Sequence, residues 1–136
     1  MTTFKIVDAS VAIKWFLVNE EKREEALNLL DEIQSAPHYF AVPELFFNEM
    51  LAVFCKAESE ASKIKRYLYA IENLGFHRLG NGSELLNTAA EIAVKYKLSA
   101  YDAVYAASAK VMDGLWITAD LKAHKRIARL KISQAL

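Results

Sequence analysis

The sequence predicts an α/β fold, a short parallel sheet carrying helices on both of its faces. Short runs rich in β-branched and aromatic residues, at 4–7, 39–42, 76–79 and 115–118, alternate with longer stretches of helical periodicity. The stretches are punctuated by capping residues and glycines rather than by linkers, and 54% hydrophobic against 25% charged residues supplies a core for one domain spanning 1–136. In such sheets ligands bind beyond the carboxyl ends of the strands. The polar residues that follow each strand are therefore the functional candidates.

Phe4-Lys5-Ile6-Val7 reads as a buried strand ending at Asp8-Ala9-Ser10, and Val11, Ala12, Ile13, Trp15, Phe16 and Leu17 follow as a short apolar helix. Asn19 is the expected cap of the next helix, whose Ala26, Leu29, Leu30 and Ile33 keep a 3.6-residue period. Tyr39-Phe40-Ala41-Val42 is a second strand, and Pro43 suits the first turn of a helix running to about Lys56. Ser59 is expected to cap a fourth helix with Ile64, Tyr67, Leu68 and Ile71 on one face. Gly75 ends it, Phe76-His77-Arg78-Leu79 is a third strand, and Gly80-Asn81-Gly82 is a turn. Ser83 opens a helix with Leu85, Ala89, Ile92, Ala93 and Tyr96 along one stripe. Ser99 opens another, reaching about Asp113, with so few polar positions that burial nearly all round is expected. Gly114 stops it, Leu115-Trp116-Ile117-Thr118 is a fourth strand, Leu121 to Leu130 is the last helix, and Ile132 falls in a short closing strand.

This composition excludes a disordered chain. No apolar run approaches the roughly 20 residues of a membrane span. The N-terminus, Met1-Thr2-Thr3-Phe4-Lys5-Ile6, has no basic segment leading an apolar one, which predicts that the protein is not secreted. A single Cys55 forms no internal disulfide, as suits a reducing cytoplasm. Seventeen bases balance seventeen acids, which argues against binding nucleic acid through overall charge. The charges are nevertheless segregated. Glu20, Glu21, Glu24, Glu25, Asp31 and Glu32 crowd residues 20–32, whereas Lys122, Lys125, Arg126, Arg129 and Lys131 occupy 121–136 with no acid among them.

Four carboxylates fall where the fold class directs attention. Asp8 follows the first strand and Asp120 the fourth, each before a helix, so each is equally explained as an N-cap. Asp102 closes Ser99-Ala100-Tyr101-Asp102, which resembles a capping box. Glu49 is different: its neighbours one turn away, Leu45, Phe46, Ala52 and Val53, are apolar, which puts it on the inward stripe of its helix. Glu44, in the first turn of the same helix, merely complements the helix dipole. Converging carboxylates without a cation for each repel and raise one another's pKa. A hard divalent cation, Mg²⁺ or Mn²⁺, relieves that repulsion, activates water and stabilises charge on a phosphate under in-line attack.

Val7-Asp8-Ala9-Ser10, Pro43-Glu44-Leu45 with Glu49, Tyr101-Asp102-Ala103-Val104-Tyr105 and Ile117-Thr118-Ala119-Asp120 resemble, in this order, the four motifs of the PIN-domain nucleases. In size and motif spacing, the chain is similar over essentially its whole length to the VapC-type ribonuclease toxins. The resemblance implies a three-layer α/β/α sandwich and Mg²⁺- or Mn²⁺-dependent cleavage of RNA. It implies an acidic set of Asp8, Glu49, Asp102 and Asp120, with the hydroxyls of Ser10 and Thr118 supporting the metal shell. It also implies a homodimer and a co-produced antitoxin protein that covers the active site. The bulky Trp15-Phe16 pair and the neutral net charge are where the chain departs from the pattern.

Other features carry less. His77 and His124 share no ligand spacing with Cys55, and Cys55, with no base nearby in sequence, reads as a core thiol. Asp113, before Gly114, reads as a helix-end residue, with a place near the acidic cluster as the alternative. Phe46, Phe47, Phe54, Tyr67 and Tyr69 read mainly as core, with a groove for a partner segment as the alternative. Lys122, Lys125, Arg126 and Arg129 share one face of the last helix, opposite Ala123, Ile127 and Leu130. They suit either a solvated face or contacts to RNA phosphates flanking the cut. Competing functions are a phosphoacceptor signalling domain, which wants an acidic pair at the first strand, and a catalytically silent binding module. A phosphatase with an Asp-x-Asp nucleophile fails at Ser10, and no Gly-x-Gly-x-x-Gly is present for a dinucleotide.

Overall fold

The computed structural model describes residues 3–136, so the reading of Met1 and Thr2 falls outside the described residues. Among them the chain runs β1 (Lys5–Val7), α1 (Ala9–Phe16), α2 (Arg23–Ser35), β2 (Phe40–Pro43), α3 (Leu45–Ala57), α4 (Ala61–Glu72), β3 (His77–Leu79), α5 (Ser83–Tyr96), α6 (Ala100–Val111), β4 (Leu115–Thr118), α7 (Leu121–Ile127) and β5 (Ser133–Ala135). All neighbouring strands are parallel, in the order β3-β2-β1-β4-β5. Helices α1 to α4 connect strands running outward from β1 in one direction, and α5 to α7 serve the other. Right-handed crossovers then lay the two sets on opposite faces, giving three layers, α/β/α. Phe16, Phe54 and Tyr67 cluster between α1, α3 and α4. On the other face, α6 lies over the sheet with Tyr105 stacked on Trp116 of β4.

The predicted core is observed where sequence patterns were strongest. Ile6 and Val7 are fully buried, and every residue from Ala103 to Ala109 is buried, as expected of a helix with an unbroken apolar surface. Ser108 is tolerated there because its hydroxyl donates to the Val104 carbonyl at 2.7 Å.

Several local expectations are corrected. Asn19 does not cap α2; that place is taken by Lys22, in the left-handed region at φ 56°. Packing decided the start, for Trp15 Nε1 donates to the Ala26 carbonyl at 2.8 Å and Arg23 Nε reaches the Lys14 carbonyl at 3.0 Å. Pro43 ends β2 instead of opening a helix. Its missing N–H costs little there, since Glu44 N takes up the ladder by donating to the Leu79 carbonyl at 2.9 Å. Ser59 is replaced by Glu60 as the cap of α4. The last helix stops at Ile127 and continues as a 3-10 turn over Ala128–Leu130, so Arg129 leaves the α-helical stripe. Cys55 is exposed, because α3 buries Phe46, Met50 and Phe54 four residues apart and turns position 55 outward. Tyr69, 71% exposed, lies off the α4 face that Tyr67 and Ile71 turn inward.

Candidate active site

The strand order reverses between β1 and β4, so the crevice beyond their carboxyl ends is the topological switch point of the sheet. Asp8 stands there. Its backbone N–H donates to the Ile117 carbonyl at 3.1 Å, extending the β1–β4 ladder, and its side chain caps α1. The carboxylate is buried and accepts from Thr118 Oγ1 at 2.7 Å, Ser10 Oγ at 3.0 Å and Ser10 N at 3.4 Å. Ser10 Oγ in turn accepts from Ala119 N, and Thr118 Oγ1 from Asp120 N, both at 3.0 Å. These two hydroxyls therefore tie the end of β4 to the head of α1 through one carboxylate. Burial pushes the Asp8 pKa above its ordinary 3.8; the hydroxyls of Thr118 and Ser10 pull it back, and the charge of Asp102 raises it further.

Asp102 sits in the first turn of α6, where Ser99 Oγ accepts from its backbone N–H at 3.2 Å. The capping function foreseen from sequence and a place in the acidic cluster are thus compatible. Its pKa is raised mainly by burial and also by Asp120, while Ser99 and the Arg126 guanidinium lower it. Arg126 is thus a cation felt by Asp102, one for several carboxylates. Asp120 is exposed and caps α7 by accepting from Ala123 N at 3.1 Å. Glu49 is only half-buried, which corrects its expected position within the inward stripe. It lies on the flank of α3, in the wall of a groove of about 440 Å³ lined also by Ser10, Ile13, Leu45, Val53 and Tyr101. Its Oε1 is nevertheless buried without a hydrogen-bond partner among the described residues. Burial is the main cause of its raised pKa; the Tyr105 hydroxyl opposes this, and Asp8 and Asp102 add to it. Tyr105 and Glu49 are close enough to influence one another, yet close no hydrogen bond of ordinary geometry.

The other candidates fall elsewhere. Glu44 pairs with Arg78 at 2.9 and 3.2 Å, and that guanidinium also covers the Phe47 ring at 4.0 Å. His77 is exposed on β3, His124 Nδ1 meets Ser133 Oγ at 2.7 Å, and Asp113 sits at φ 53° just past the end of α6. Among the described residues, no three His, Cys, Asp or Glu side chains are gathered into a ready-made ligand set.

The model of the PIN domain family matches residues 5–130. The chain belongs to the PIN domain family. Solved structures share the fold of this PIN domain. A toxin-antitoxin complex from Klebsiella pneumoniae is 19% identical, with 96% of this chain and 95% of that chain covered, at a TM-score of 0.73. VapBC2 from Rickettsia felis, bound to a DNA fragment from their promoter, is 14% identical with 98% of each chain covered and a TM-score of 0.70. FitAcB from Neisseria gonorrhoeae is 15% identical, with 92% and 94% covered, also at 0.70. No curated protein matches the chain in sequence.

For this PIN domain, sequence reasoning gave Tyr105 no place among the carboxylates and Arg126 only a contact to RNA phosphates. Tyr105 lies three positions after Asp102, hence on the same face of α6, and its hydroxyl within the mainly apolar run Ala103–Ala109 was the available signal. Arg126, on α7, donates to the Lys97 carbonyl, a contact across 29 residues that no local pattern announces, and its charge is felt by Asp102.

Raised carboxyl pKa values fix a sign. A carboxyl that holds its proton more tightly when folded stabilises at acid pH and loses that contribution as pH climbs from its ordinary value through the raised one. For Asp8 the loss begins near 3.8 and for Glu49 near 4.5. Between about pH 4 and pH 7, the metal-free Asp8→Asn protein should therefore gain in melting temperature relative to the parent. A difference that does not change with pH would contradict the buried-charge account of Asp8.

Proposed function

We propose that this PIN domain is a Mg²⁺- or Mn²⁺-dependent endoribonuclease that cuts RNA phosphodiester bonds, and that it is the toxin of a toxin–antitoxin pair. The observation that supports the reading is that Asp8, Glu49 and Asp102, around the β1–β4 switch point, each have a pKa raised mainly by burial and further by the charge of another carboxylate, Asp120 acting on Asp102. The donor set fits a hard cation. It consists of carboxylate oxygens, and Glu49 Oε1 is buried with no partner of its own among the described residues. A Mg²⁺ shell retains several waters, so carboxylates standing short of mutual contact suit it. Asp8, Glu49, Asp102 and Asp120 would hold the ion, which when bound supplies an activated water and charge stabilisation at the phosphate. Ser10 and Thr118 hold the Asp8 carboxylate in one orientation, as groups behind metal ligands do. Incubating purified protein with RNA and Mn²⁺, with and without EDTA, tests the reading. RNA left uncut in Mn²⁺ would favour a silent or signalling binding module instead.

RNA is held, in this reading, by cations flanking the carboxylates. Lys122, Lys125 and Arg126 are exposed on α7, which Asp120 caps, and Arg129 is exposed in the 3-10 turn beyond. Changing Lys125, Arg126 and Arg129 together to Gln should weaken RNA binding and reduce its dependence on salt, because fewer counterions are then released. Mn²⁺ affinity should not fall, because the one of these cations felt by Asp102, Arg126, opposes a bound metal ion. An unaltered salt slope would return these side chains to the role of a solvated face.

The toxin–antitoxin complex among the structural neighbours supports an antitoxin partner, and the resemblance to the VapC-type toxins adds a homodimer. Co-purification with the product of an adjacent reading frame tests the former, and mass in solution the latter. A cytoplasmic location accords with both, and none of the described helices is long and apolar enough to cross a membrane.

A further inference from the structure

Packing alone does not account for the Tyr105 hydroxyl. The side chain is 1% exposed, and its ring stacks on Trp116 with centroids 6.2 Å apart and planes 9° from parallel. Phenylalanine would pack as well at this position, yet a hydroxyl is present and finds no hydrogen-bond partner among the described residues. Glu49 Oε1 is in the same condition, buried and unpartnered. One group is a donor and the other an acceptor, and they are neighbours near Ala9 at the head of α1. Leaving such a pair unjoined in a protein interior is costly, so a state in which the pair closes would be favoured; Trp116 Nε1, also unpartnered, is a donor as well and cannot satisfy the Tyr105 proton. The only other hydroxyl in the buried run of α6, that of Ser108, is satisfied within its own helix, which makes position 105 the exception.

We propose that Tyr105 is a positioning residue for Glu49, donating a hydrogen bond to that carboxylate when it engages a divalent cation. The inference rests on the metal-binding reading of the acidic cluster and assigns one further residue to it. Carboxylates that ligate metals are themselves held by hydrogen bonds, which orient the ligating oxygen. Tyr105 is suited to this because stacking on Trp116 fixes the ring, and with it the position of the hydroxyl, relative to the sheet. Asp8 has two hydroxyl donors in Ser10 and Thr118, whereas for Glu49 the one hydroxyl of influence among the described residues is that of Tyr105.

Tyr105→Phe removes the hydroxyl and leaves the ring. Mn²⁺ titration, followed by the electron paramagnetic resonance of the free ion, should show affinity weakened about tenfold or more relative to the parent. The melting temperature without metal should stay level or rise by about 3 °C, since an unsatisfied buried hydroxyl has been deleted. A purely structural tyrosine gives the reverse, a lower melting temperature and unaltered Mn²⁺ affinity, and that result would overturn the proposal. In a Glu49→Gln background, Tyr105→Phe should weaken Mn²⁺ binding no further; an equal further loss there would show that Tyr105 acts through another group and would also overturn it. The titration needs no RNA. A parent that binds Mn²⁺ without cutting RNA would defeat the nuclease reading alone, whereas a parent that fails to bind Mn²⁺ defeats both.

Discussion

Asp102→Asn and Asp8→Asn should each reduce metal-dependent RNA cleavage by more than about a hundredfold, since even the outer-shell partners of metal ligands are worth about 10–100-fold. Neither change should unfold the protein. The bond from Asp102 N to Ser99 Oγ uses only the backbone of residue 102 and survives, and asparagine is as good an N-cap residue as aspartate in general. At position 8 the amide oxygen still accepts from Thr118 Oγ1 and Ser10 Oγ, the 3.4 Å bond from Ser10 N is given up, and a buried charge has been deleted. The expected pair of results is therefore an inactive enzyme whose metal-free melting temperature at neutral pH equals or exceeds the parent's. Mn²⁺ should raise the parent's melting temperature and leave those of the variants nearly where they were, because binding to the native state alone stabilises it. Cleavage at the parental rate by both variants, in a reaction that EDTA still stops, would falsify the assignment.

The parts of this molecule legible in its sequence are those where one physical demand dominates. Strands β1, β2 and β4 and helix α6 are largely buried, so their apolar runs had no competing explanation. Asp8 and Asp120 were legible for a related reason: a polar residue at the last position before a helix is where both capping and the switch point put it. Reading failed where several weak preferences compete. Asn19 and Ser59 are better caps than Lys22 and Glu60, but capping is worth about 1 kcal/mol and, at α2, the anchoring of Trp15 and Arg23 on either side of the α1–α2 turn outweighs it. Glu49 shows the limit of periodicity. Helical spacing identified its apolar neighbours, but Leu45 and Val53 line a groove while Phe46 and Met50 fill the core, and only tertiary packing distinguishes the two faces. The influence of Arg126 on Asp102 runs between α7 and α6 and lay beyond any local signal.

Gly114→Ala should be the most damaging single-methyl addition among the glycines of the protein. From sequence this glycine reads only as a helix stop. In the structure a Cβ at position 114 would lie 2.5 Å from the Phe4 carbonyl oxygen and 3.2 Å from both the Phe4 carbonyl carbon and Cβ. Neither side can give way cheaply. Gly114 N is bound to the Ala109 carbonyl at 2.8 Å, holding it to the end of α6, and the crowded Phe4 oxygen accepts from Leu115 N at 2.9 Å as the first rung between β1 and β4. Relief of the contact must therefore part these two strands. The expected loss is about 2–4 kcal/mol, or about 10 °C in melting temperature for a domain of this size. A Cβ at Gly80 or Gly82 would meet nothing within 4 Å, so alanine at either should leave the melting temperature within a degree or two, about the effect of an ordinary surface change. At their carboxyl ends the same two strands carry the site, β1 leading into Asp8 and β4 into Thr118 and Asp120, so Gly114→Ala protein that still folds should also bind Mn²⁺ more weakly. A Gly114→Ala melting temperature equal to that of Gly82→Ala would mean that β1 and β4 separate freely at their amino ends, and the close approach of Phe4 would then have no energetic weight.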